Sequence, residues 1–139
     1  MKIILQNKTG YVLRFDKGEE VLSEMIKFLK AQNVSACVFN GLGACSECEM
    51  GYFNPNVKDY RKKPFYDDME IVCLNGNAGL KDGEPFVHAH GIFGKTDFSL
   101  IGGHVFKIIV SVTCEIVITT LDGALERKLD EDFNLNLLV

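Results

Sequence analysis

The chain has 139 residues, 47% of them apolar and 24% charged, with a formal net charge of −4. That length and balance fit one domain, residues 1–139, with a core large enough to stand without disulfides. The acidic charge disfavours nucleic acid, because non-specific binding rests on neutralising phosphates with Lys and Arg, and no apolar run approaches the roughly 20 residues that span a bilayer.

Met1-Lys2-Ile3-Ile4-Leu5 is broken by Gln6, Asn7 and Lys8 too soon for a secretory signal. Cys37, Cys45, Cys48, Cys73 and Cys114 are odd in number and fit free thiols in a reducing cytoplasm. The sequons at Asn7 and Asn33 are then chance matches. Lys2 to Gln6 and Tyr11 to Phe15 suit two short strands. One helix is expected, about Glu19 to Gln32: Val21, Leu22, Met25, Ile26 and Leu29 share a face at helical spacing. Glu19 and Glu20 at its start and Lys30 near its end complement the helix dipole.

Ser35 to Asn40 suits a strand, Gly41 to Ala44 a tight bend, and Glu47 to Phe53 another strand. Asn54 to Pro64, with two prolines, is expected as a loop. Glu70 to Gly76 is a strand, and Asp82-Gly83 is a strong hairpin signal leading into Phe86 to Ile92. Ile108 to Leu121 is a long strand, and Asp122-Gly123 turns it into Ala124 to Leu129. The tail leucines Leu135, Leu137 and Leu138, with Val139, are expected to pack on a neighbour. One helix among many strands predicts an α+β domain built on a largely antiparallel sheet.

The three histidines, His88, His90 and His104, fall within seventeen residues. In a strand, His88 and His90 point the same way. If the strand ending in Gly102-Gly103-His104 returns beside them, His104 joins the patch. Three imidazoles suit Zn²⁺ or another divalent transition metal, and leave an open coordination position. Such ligands must be neutral, so binding is expected to weaken below about pH 6. Cupin strands also offer His-X-His, but the Glu expected a few residues on is absent from Gly91 to Lys95. Each ring's second nitrogen needs an acceptor, with Glu115, Glu70 and Asp97 as candidates.

Cys45-Ser46-Glu47-Cys48 has no second pair for a structural zinc site and no following helix for a redox site, so it is expected as a buried or incidental pair. Cys37, Cys73 and Cys114 suit core filling. Tyr60-Arg61-Lys62-Lys63-Pro64-Phe65-Tyr66 is basic with interleaved aromatics, yet Asp59, Asp67 and Asp68 flank it, as in a solvated loop.

Six blocks, in order, resemble the PPC ("plants and prokaryotes conserved") domain across about residues 10 to 121. They are Gly10 to Val21, Phe39-Asn40-Gly41-Leu42-Gly43-Ala44, Met69 to Asn77, Pro85-Phe86-Val87-His88-Ala89-His90, Ile101-Gly102-Gly103-His104-Val105, and Val112-Thr113-Cys114-Glu115-Ile116-Val117-Ile118. The resemblance implies a homotrimer whose His88, His90 and His104 match a family metal site. It also implies that Glu115, a recurrent acidic position, ranks first among those acceptors; within reach of a metal-bound water, Glu115 is also the candidate catalytic general base. Plant members carry an AT-hook that holds DNA; this chain lacks its Arg-Gly-Arg-Pro core. Two functions follow: a metal-binding protein, as a small hydrolase or lyase with an unidentified small-molecule substrate, or a DNA-associated regulatory scaffold acting through protein–protein contacts.

Overall fold

Alternating apolar and polar residues drive nine strands, and one amphipathic segment drives a single helix; the computed structural model describes residues 1–139 throughout. Strand β1 (Lys2–Asn7) and β2 (Gly10–Asp16) form the first hairpin, and helix α1 (Val21–Ala31) follows. Glu20 caps α1, its carboxylate accepting from the backbone N–H groups of Leu22 and Ser23. The helix buries Val21, Leu22, Met25, Phe28 and Leu29.

Strands β3 (Cys37–Asn54), β4 (Asp59–Phe65), β5 (Met69–Lys81), β6 (Glu84–Gly94) and β7 (Leu100–Thr120) carry the body of the sheet. The antiparallel pairings β3·β7, β3·β5, β5·β6 and β6·β7 close these four strands into a ring. Its interior includes Leu74, Ala78, Ala89, Phe93, Val105, Ile108, Val110, Ile116 and Ile118. Strand β8 (Glu126–Asp130) joins β5 in parallel, and β9 (Leu135–Leu138) folds back on β8. The sheet is therefore mixed but mostly antiparallel.

Two expectations are corrected. Gly41 to Ala44 is no bend: β3 runs straight through it, and three irregularities between Gly41 and Glu47 absorb the extra residues. Asn54 to Pro64 is not a loop, because residues 59–65 form β4. Pro64 is tolerated there since β4 pairs with β3 alone and leaves one edge free. The tail forms β9 against β8, with Leu137, Leu138 and Val139 exposed. The Asp82-Gly83 turn is as expected, both residues holding positive φ between β5 and β6.

Candidate metal centre

The alternation of β6 sets the centre. Ala89, Gly91 and Phe93 turn into the core, so His88, His90 and Ile92 face outward. The strand pair then supplies the third ring, because His90 and His104 stand directly opposite each other across β6·β7. Ring centroids lie 5.2 Å apart for His88 and His90, 5.1 Å for His88 and His104, and 5.4 Å for His90 and His104. One nitrogen from each ring falls within 4.8 Å of the others. Three nitrogens bound to one Zn²⁺ at ~2.1 Å would sit about 3.4 Å apart, so an ion would draw these rings together.

The donor set suits such an ion electrically. Burial, reinforced by the positive fields of His88, His90, Lys62 and Arg127, depresses His104 to about 4. Burial, then Arg127 and His90, lowers His88 as well. Both rings are thus neutral, the form that binds metal. No carboxylate belongs to the cluster.

Neutral and cationic groups surround the rings instead. The Tyr60 hydroxyl lies 3.5 Å from His104 Nδ1, and the Tyr60 ring packs against His104 and Phe106. Burial raises the Tyr60 phenol above its usual range. Gly51, opposite His104, makes this packing possible: a Cβ there would come within 2.5 Å of Phe106 and 2.9 Å of Tyr60. Lys62 sits 3.9 Å above the Phe106 ring. On the other side, Arg127 of β8 places Nη2 3.4 Å from His88 Nδ1. A guanidinium only donates, so this contact leaves Nδ1 unprotonated and the ring hydrogen on Nε2.

Sequence reasoning named the three rings but not this setting. Tyr60 and Lys62 stood out only as part of a basic run, and nothing foreshadowed Arg127, which arrives through the parallel β5·β8 pair. Glu115 is elsewhere. It is exposed on β7 between buried Cys114 and Ile116, opposite Arg14 on one side and Leu42 on the other. Neither Glu115 nor Glu70 hydrogen-bonds an imidazole of its own chain, and Asp97 is occupied by the Ser99 backbone and hydroxyl. Within the chain, the polar groups that face the ring nitrogens are the Tyr60 hydroxyl and the Arg127 guanidinium, the latter a donor only.

The profile of the Plants and Prokaryotes Conserved (PCC) domain, the PPC domain named above, matches residues 4–122. The chain belongs to this family. A plant- and prokaryote-conserved protein from Pyrococcus horikoshii is 35% identical, with a TM-score of 0.89 over 94% of this chain and 90% of that one. A protein from Archaeoglobus fulgidus described as metal-containing is 33% identical, with a TM-score of 0.89 over 100% and 99% of the two chains. A Bacteroides thetaiotaomicron protein described as a candidate DNA-binding protein is 27% identical, with a TM-score of 0.94 over 97% and 94%. No curated protein matches the chain. No helix is long and apolar enough to cross a membrane.

Proposed function

We propose that the protein is a homotrimeric metal-binding protein that holds zinc, or another divalent transition metal, through His88, His90 and His104. The observation that carries this reading is the meeting of all three histidines at one spot, on two strands, with His88 and His104 held neutral by burial. The similarity to a metal-containing protein of Archaeoglobus fulgidus supports it. Three protein ligands leave a position for a small molecule, which keeps a hydrolase or lyase reaction open.

Trimer formation draws support from an uncovered apolar groove. Val72, Phe98, Leu100 and Val112 line a cavity of about 670 Å³ and are all more than half exposed. Light scattering is expected to give three times the 15.5 kDa chain mass. Five free thiols fit a cytoplasmic setting.

Metal content by mass spectrometry on tag-free protein tests the reading. Near-stoichiometric metal that disappears in a folded His88→Ala, His90→Ala double variant is the expected result. Metal-free protein that takes up none on reloading would sink it. The second reading, a DNA-associated scaffold, rests on the Bacteroides relative's description and on Arg61, Lys62 and Lys63 along the free edge of β4. It predicts DNA affinity that falls steeply with added salt. The net charge of −4 weighs against it.

A further inference from the structure

We propose that the imidazole centre takes a small oxyanion, a carboxylate or phosphate group, and that Arg127 is the residue that selects it. The inference rests on the metal reading above and names the class of ligand for that site. Arg127 is the one buried charged side chain in the protein, at 6% exposure. Buried charges are normally paired with an opposite charge, yet this one has no ion pair. Its Nη1 donates 2.8 Å to the Asn136 carbonyl and its Nη2 2.6 Å to Asn77 Oδ1, both neutral; Nε has no partner at all. Phe86 lies under the guanidinium at 5.3 Å. No carboxylate of the chain answers this charge.

A divalent ion on three neutral imidazoles would add two more positive charges beside it. It would also break the Arg127 contact with His88, whichever nitrogen the ring used. Nδ1 is the nitrogen that Arg127 already faces, and use of Nε2 would send the ring hydrogen to Nδ1, which a guanidinium cannot accept. Loading therefore frees an Nη2 donor next to a centre that needs negative charge, and an oxyanion satisfies both. More cationic groups lie nearby: Arg61, Lys62 and Lys63 line a cavity of about 630 Å³, and Gly102 borders both it and a second of about 320 Å³ lined by His90. Arg127 lies beyond the family span of residues 4–122, on the C-terminal hairpin of β8 and β9.

The test uses full-length, tag-free protein loaded with Co²⁺, whose visible bands report on the ligand sphere. Titration with acetate and, separately, with inorganic phosphate is expected to shift the bands saturably, and the tighter of the two names the group. Arg127→Gln is expected to weaken that anion roughly tenfold or more, while Co²⁺ uptake stays equal or tightens as a like charge leaves. Should Arg127→Gln not fold, Arg127→Lys decides, with a several-fold loss expected from the missing fork. A cobalt-loaded protein whose bands respond to neither anion overturns this inference alone, as does anion affinity unchanged in the folded variant. A chain that takes up no cobalt removes the metal reading and this one together.

Discussion

Two sets of potential metal ligands share this small sheet, and burial acts on them in opposite directions. The imidazoles of His88, His90 and His104 stand on its outer face. The thiols of Cys45, Cys48 and Cys114 are fully buried inside it. Desolvation favours the uncharged form of any group. For histidine that form is the ligand, so burial primes His88 and His104 for metal. For cysteine the ligand is the thiolate: burial pushes Cys114 up to about 12, and Cys48 is raised first by the hydrogen bond it donates to Cys45 and then by burial, while that same bond lowers Cys45 against its burial. Burial thus favours the ligand form of the rings and opposes it in the thiols, with the Cys45–Cys48 hydrogen bond adding its own pull within that pair.

The largest expected effect breaks that pairing apart. Removing His88 and His90 together is expected to weaken metal binding by more than about a hundredfold, since even groups supporting a ligand cost 10–100-fold when lost. Cys45→Ala with Cys48→Ala is expected to leave metal content at the wild-type level. Competition with a chromophoric chelator reads both. Metal lost from the cysteine variant, at intact fold, would mean that the thiols and not the rings hold it.

A mid-sized effect sharpens the other half. Cys48→Ser puts a hydroxyl where the Cys48 thiol is wholly buried. A buried polar group without a full partner costs about 1–3 kcal/mol. Chemical denaturation is expected to show that loss with the slope unchanged, and metal stoichiometry is expected not to move. A variant as stable as the parent would show that the thiol pair is not packed as filling.

Much of this contrast was legible from residue order. Alternation put His88 and His90 on one face, and Asp82-Gly83 fixed where β6 begins. The inward direction of both Cys45 and Cys48 was harder to see. Residues three apart point to opposite faces of a regular strand, and only the irregularity between Cys45 and Glu47 turns both into the core. Glycines hid the continuity of β3 and prolines hid β4, because each local breaker is tolerated at a bulge or an edge. Arg127 was invisible for a different reason. It reaches His88 through a parallel pairing of segments nearly fifty residues apart, which no local periodicity encodes.

The smallest effect concerns pH and tests the electrostatic basis of the comparison. In the unfolded chain His104 titrates near its ordinary 6.5; in the fold, burial and neighbouring cations hold it at about 4. Above 6.5 both states carry a neutral ring and it contributes no pH dependence. Between 6.5 and 4 the unfolded chain binds the extra proton, so stability falls as pH falls and the loss levels off below 4. His88, lowered for the same leading reason, adds to the slope in the same direction. Both rings are partly exposed, so solvent screening keeps the effect modest. Melting of metal-free protein from pH 7 to 4.5 is expected to decline more steeply than in His104→Asn, which cannot titrate, while the carboxylates common to both cancel. By the same sign, metal should persist below the pH of about 6 that ordinary imidazoles would impose, because a lowered ring surrenders its lone pair to protons only in stronger acid. Parallel melting curves would mean that the rings are not desolvated as the fold implies. The opposition between imidazole and thiol would then rest on position alone.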